Sequence, residues 1–190
     1  PLFLDAQVAF DEFVKPAMAG LQDKAGPLVF QFPPQGKKVV QEPQRFAERL
    51  ARFLQALPKG PCYAIELRDH ELFTADYAQA LASAGARHCH AVHPGMPTLP
   101  EQAQLVPPSG ELVIRWMLHP GSKYDEAVER YEPFDQLVDP DPVSRAHVAD
   151  LAAAALAQRL PVTVVVNNKA EGSSPQSVEL LARALRERLG

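Results

Sequence analysis

CYAIELRDHELF, residues 62–73, is the stretch on which the reading of the fold turns. Tyr63, Ala64 and Ile65 form an apolar run that ends in Glu66, Leu67 and Arg68, followed by a polar turn and a new helical pattern. A short apolar run closed by charges and followed by helical periodicity predicts a buried strand that feeds a helix. Glu66 and Arg68 stand two positions apart, so on a strand both side chains leave the same face. A carboxylate and a guanidinium at one strand end either pair with each other or present themselves to a ligand.

The same strand-then-helix unit recurs on both sides. Upstream, Leu28, Val29, Phe30, Gln31 and Phe32 form a short strand stopped by Pro33 and Pro34, neither of which can donate to a ladder. Gly36, Lys37 and Lys38 then read as a loop. A helix opens at Pro43, with Phe46, Leu50, Phe53, Leu54 and Leu57 on one face. Pro58, Gly60 and Pro61 close it. Earlier still, Phe10, Phe13, Val14, Ala17 and Leu21 have helical spacing, and Pro16 is expected to kink or end that helix.

Downstream, Leu72, Phe73, Tyr77, Ala80, Leu81 and Ala84 predict a helix with Gly85 as its C-terminal cap. Residues 86–92 read as a strand, 93–110 as a long Pro-rich loop, and 112–117 as the next strand. Residues 124–138 suggest a short helix and then irregular chain. Asp141 as cap and Pro142 as first residue start a helix expected to turn Val143, His147, Leu151, Ala155 and Leu156 inward. Val162 to Val166 is the most strand-like segment, ended by Asn167 and Asn168. A last helix from Ser174 and Pro175 is expected to bury Val178, Leu181, Ala182, Leu185 and Leu189.

The order is a helix and then β-α five times. Short strands without clean polar alternation, each returned by a helix, predict an α/β fold with a buried parallel sheet, in one domain over residues 1–190. The pattern alone leaves a barrel and an open doubly wound sheet both standing.

Composition narrows the function classes. The 190 residues are 46% hydrophobic and 22% charged with net charge −4, which argues against a phosphate-backbone partner and for no nucleic acid. Cys62 and Cys89 stand 27 apart in apolar segments and read as small buried hydrophobes in a reducing, cytoplasmic compartment. The longest near-apolar run is broken by Asp150, Gln158 and Arg159, and no membrane span is expected. Pro1 rather than Met opens the chain, so a segment N-terminal to it is expected to have been processed, trimmed or left out.

In parallel α/β folds ligands gather at the carboxyl ends of strands. Those ends carry Gln31; Glu66, Arg68 and His70; His88, His90 and His93; Arg115, Trp116 and His119; and Asn167, Asn168 and Lys169. Arg68 and Arg115 suit anion anchoring, and Glu66 suits proton transfer or acceptance from a sugar hydroxyl. Gln31, Asn167 and Asn168 are candidate ligand hydrogen-bonders, against the plainer reading that the two Asn satisfy loop backbone. His88 and His90 share a strand face and with Glu66 form the weaker alternative of a divalent-metal set; no cofactor is otherwise expected. No phosphate-binding glycine loop and no nucleophile elbow is present, and Ser144, in a helix start, is a poor nucleophile.

LVFQFPP at 28–34, the ELR of IELR at 66–68, IRWM at 114–117 and VVVNNK at 164–169, followed by a glycine and a Ser-Pro helix, resemble the YecE-like proteins, domain of unknown function 72. The resemblance runs from about Phe10 to Leu189. It implies a TIM-type (β/α) barrel and carries no activity. It also implies strands before Phe10, so that this chain corresponds to the C-terminal five-eighths, with two open sheet edges available for self-association. Where the family often has an acid after the two Asn, this chain has Lys169, and a catalytic carboxylate there would be lost. The expected function is binding of a small polar ligand, anionic or carbohydrate-like, at the strand mouths, with or without catalysis. A non-catalytic ligand-binding or interaction scaffold is the alternative.

Overall fold

The computed structural model describes residues 3–190. Among them are five parallel strands in the order β1-β2-β3-β4-β5, each following the last in sequence. Order in space that follows order in sequence is that of a (β/α) barrel; a doubly wound sheet reverses direction at a switch point. The fold class is therefore α/β of the barrel type, with five of the eight βα units that a closed barrel has. The chain divides into two compact units, Pro1–His88 and Cys89–Gly190.

In the first unit, α1 (Ala6–Ala9) is capped by Asp5, whose carboxylate accepts from the amides of Gln7 and Val8. A π-helical turn, Phe10–Val14, joins it to α2 (Lys15–Leu21). The helix continues past Pro16 rather than ending there. The Lys15 amide reaches back to the Phe10 carbonyl, and this wider turn makes room for a ring that cannot donate. After β1 (Leu28–Gln31) the predicted Lys37-Lys38 loop is instead a single helical turn, α3 (Lys37–Val40). Helix α4 (Pro43–Ala56) buries Phe46, Ala47, Leu50, Phe53 and Leu54. Burying side chains of this size contributes roughly 1.5–3 kcal/mol each before entropy is counted. Phe30 of β1 stands edge-on to Phe53 at 5.2 Å and to Phe13 at 5.3 Å.

Strand β2 (Tyr63–Glu66) is buried at every position and pairs with β1 so that Gln31 lies opposite Glu66. Helix α5 (Ala75–Ala84) begins at Thr74, whose hydroxyl accepts from the Tyr77 amide, and ends at left-handed Gly85. Strand β3 (Arg87–Val92) pairs with β2 through Arg87 and His88.

In the second unit the rest of β3 pairs with β4 (Leu112–Trp116), which pairs with β5 (Val162–Val166). The residues between β3 and β4 are not all loop: they contain α6 (Leu99–Leu105). Thr98 and Glu101 form a reciprocal capping box, a signal that the density of prolines obscures in the sequence. Buried Gln102 on α6 accepts from the Ala91 amide and donates to the Ala91 carbonyl, both at 2.9 Å. Helix α7 (Tyr124–Tyr131) and the irregular chain after it match expectation.

Helix α8 (Pro142–Ala157) and helix α9 (Ser174–Leu189) pack on each other; Ala155 and Leu181 are buried as expected, but Val143, Leu156, Val178 and Leu189 are exposed rather than inward. Buried on α8 are Ser144, Val148, Ala149, Ala152 and Ala155, while Val143 is 63% exposed. On α9, Ser177 and Leu181 are buried, while Val178 and Leu189 face solvent. Small residues predominate on the buried face of α8, where close approach selects small side chains over the most apolar stripe. The core here joins Leu112, Ile114 and Trp116 of β4 to Val148, Ala149 and Leu181. Strand β5, the most strand-like in sequence, is only half-buried; among the described residues it pairs on one side alone, as does β1.

Candidate functional site at the strand ends

Glu66 ends β2, and its carbonyl accepts from the Phe32 amide at 2.8 Å, continuing the ladder past β1. Leu67 and Arg68 follow it, both buried. The guanidinium Nη2 of Arg68 and Oε1 of Glu66 form an ion pair whose side chains are 7% and 0% exposed. The two charges therefore meet each other, the first of the two outcomes their spacing allows. Below them the carboxylate of Asp69 accepts from the Gln35 amide at 2.6 Å, pinning the loop after β1 to the loop after β2. Gln31, opposite Glu66 in register, is exposed at the strand end. His70 is exposed beside Glu71.

His88 is buried, with Nδ1 2.9 Å from the Tyr77 hydroxyl, which also donates to the Ile65 carbonyl. Phe73 lies over its ring at 4.9 Å between centroids. In the second unit His90 is buried with Nε2 3.2 Å from the Val106 carbonyl, a contact in which that nitrogen donates. Both imidazoles thus have protein partners. Among the described residues no group of three or more His, Cys, Asp or Glu is arranged to hold a metal ion. Cys62 is half-buried and Cys89 fully buried.

Arg115, half-buried, lies opposite Val165, and Trp116, with no exposed surface, lies opposite Val166. Asn167 Oδ1 accepts from the Lys169 amide at 2.9 Å, and Asn168 Oδ1 from the Ser174 amide at 2.8 Å. Both side-chain oxygens hold the turn that carries the chain from β5 into α9, which leaves the amide nitrogens as the groups available to a ligand. Lys169 Nζ lies 5.9 Å from the Phe134 ring centroid.

One residue was not singled out in the sequence. Glu171, two positions after Lys169, is completely buried. Its Oε1 accepts from the Asp141 amide at 2.7 Å and pairs with Nη2 of Arg145. Its backbone carbonyl accepts from Val138 and Asp139. Next to it Gly172 has φ +113°, and a Cβ there would lie 2.6 Å from the Gln136 carbonyl oxygen. Glu171 and Gly172 therefore clamp the segment that leads into α8 and set the position of its cap, Asp141. No local spacing announces this, because the partners lie 26 and 30 residues away.

Burial raises the phenols of Tyr63 and Tyr131 above their ordinary range, and at Tyr131 the Asp139 carboxylate adds to the effect. Among the described residues no helix is long and apolar enough to cross a membrane.

Two solved structures are similar to this chain. A DUF72 family protein from Thermotoga maritima superimposes with a TM-score of 0.61 at 17% identity, covering 93% of this chain and 64% of its own. A second, from Enterococcus faecalis, gives 0.56 at 16% identity, covering 96% of this chain and 66% of its own. At these identities they speak for the fold, and the chain spans about two thirds of their length. A search of curated proteins found no match. The profile described as protein of unknown function DUF72 matches residues 3–190, and the chain belongs to that family.

Proposed function

We propose that this chain binds a small polar ligand, anionic or carbohydrate-like, at the carboxyl ends of its strands, and that Glu66 and Arg68 are the centre of that site. The observation that carries the reading is the burial of this ion pair at a strand end. Two charges withdrawn from water cost several kcal/mol each, and replacing such a pair with apolar side chains is often neutral or stabilising by ~1–4 kcal/mol. Stability alone is thus a weak reason to keep Glu66 and Arg68. A ligand carboxylate or phosphate competes for Arg68 in the bidentate geometry that guanidinium favours. Glu66, released from Arg68, then serves as proton acceptor or as partner of a ligand hydroxyl. Gln31, opposite Glu66 in register, is the proposed hydrogen-bonding group beside them; in the second unit, taken by itself, Arg115, Asn167 and Asn168 are the proposed ligand-binding groups.

A non-catalytic scaffold is the second reading, favoured by the half-exposed β5, where Val165 is 47% exposed on a strand that, among the described residues, is paired on one side. Such an edge is a template for self-association. Light scattering over a concentration series reads this directly, and a monomer throughout removes it.

The ligand reading is tested by thermal shift with phosphosugars, sugar acids, neutral sugars and divalent metal salts. At least one anionic or sugar class should raise the melting temperature of the native chain. The paired substitution Glu66→Met with Arg68→Met should preserve folding and abolish that rise. No stabilisation by any class, or undiminished stabilisation of the doubly substituted chain, defeats the proposal.

A further inference from the structure

A cleft of about 470 Å³ lies within the second unit, where β3 gives way to His93 and the chain after β4 passes His119. Its third wall is the start of α8, which contributes Asp141, Ser144 and His147. Pockets that hold small organic molecules run from about 300 to 1,000 Å³, so this one is of a useful size. Val92, Met96, Leu99 and Val143 make much of the lining apolar. This cleft shares no residue with the site proposed above and goes beyond that reading.

The polar groups that face it are mainly acceptors. Asp141 is 7% exposed; its Oδ1 accepts from the Ser144 amide, which caps α8, while its Oδ2 is buried and has no hydrogen-bond partner among the described residues. A buried carboxylate oxygen without a donor is uncommon and calls for an explanation. His119 Nδ1 lies 2.8 Å from the Pro120 carbonyl, a contact in which that nitrogen donates. Nε2 is 3.9 Å from Asp139, beyond hydrogen-bond reach. His93 Nδ1 accepts from the Gly95 amide at 3.1 Å, which fixes the ring against its own turn.

A buried carboxylate oxygen beside an apolar lining calls for a ligand with a charged donor at one end and hydrocarbon at the other. We propose that this cleft binds a small amphipathic primary amine, with its ammonium on Asp141 Oδ2 and its apolar body over Val92, Met96 and Leu99. An ammonium brings three donors and a charge opposite to that of Asp141, and charge-assisted hydrogen bonds are about twice as strong as neutral ones.

The test is calorimetric titration of the full chain with n-hexylamine, n-hexanol and hexanoate, in ~0.15 M salt to screen surface pairing. Hexylamine should bind at one site, hexanol roughly tenfold more weakly, and hexanoate not detectably. Asp141→Asn keeps the cap, since Asn and Asp serve that position equally, and removes the charge. It should lower hexylamine affinity to that of hexanol and leave hexanol unchanged. Met96→Trp, which fills the cleft away from the cap, should abolish binding of both. Equal affinity for amine and alcohol, no binding of any probe, or amine affinity that survives either substitution overturns the proposal. None of these outcomes bears on Glu66 and Arg68, which the sugar and phosphosugar panel tests separately.

Discussion

Replacing Glu171 with alanine tests what organises the second unit. The side chain is completely buried and supplies the acceptor for two donors, the Asp141 amide at 2.7 Å and the Arg145 guanidinium. Arg145 is itself only 15% exposed, so removing Glu171 strands a positive charge in a largely dry place. Breaking a buried pair from one side costs about 3–5 kcal/mol, and the unsatisfied Asp141 amide is part of that sum rather than an addition to it. Against a typical stability of ~5–15 kcal/mol this is a large fraction. For a chain of this size, ~2–4 °C per kcal/mol converts it to a loss of roughly 6–20 °C in melting temperature. Urea denaturation followed by far-ultraviolet circular dichroism measures it. Glu171→Met combined with Arg145→Met removes both charges and should recover a large part of the loss, giving a coupling of about 2 kcal/mol in the cycle. A single-variant loss below ~1 kcal/mol, or a double variant no better than the single, would refute the claim that this pair clamps the chain into α8.

Other expectations follow from the same structure. Gly172→Ala should cost more than ~2 kcal/mol, because φ +113° is strained for any side chain and the new Cβ meets backbone at Gln136 and Val138; denaturation midpoints check it. The hydrogen bonds from Thr98 hold the Glu101 carboxyl below the ordinary Glu range. A lowered folded value means that the contribution is present above the unfolded pKa and lost as pH falls through the folded one. Hydrogen-exchange protection of α6 should therefore decline on acidification, and less so in Thr98→Ala, which lacks the box from the outset. Raised phenols at Tyr63 and Tyr131 act in the opposite direction: they favour the fold below the ordinary Tyr range and cease to do so as pH rises through their folded values. Tyrosinate absorbance during alkaline titration should show a late-ionising class that disappears in urea.

The reading from sequence succeeded where the signal was local. Gly85 as a left-handed cap, Asp141 and Pro142 as a helix start, and the apolar stripe of α4 are each written within one or two turns of chain. It failed where alanine carried the pattern. Helices α8 and α9 are rich in small residues, and hydrophobicity alone turned Val143 and Val178 inward although both face solvent. The capping box of α6 is carried by Thr98 and Glu101, but the surrounding prolines obscure it in the sequence. At the candidate site, the polar strand ends were visible residue by residue. That Glu66 takes Arg68 as its partner, and that the oxygens of Asn167 and Asn168 are used by loop backbone, depended on geometry.

What the sequence determined by itself is the alternation: five apolar strand segments, the helices that return them, and the charges that end them, because each follows from periodicity and from residues that stop a strand or cap a helix. What the tertiary structure decided is pairing. Strand order excluded the doubly wound sheet, since that choice depends on which strands become neighbours and not on what any one contains. Burial did the same for chemistry. IELR reads as two charges at a strand end, and only the fold makes them one buried ion pair. Glu171, unremarkable in sequence, becomes a clamp because folding brings Asp141 and Arg145 to it from 30 and 26 residues away.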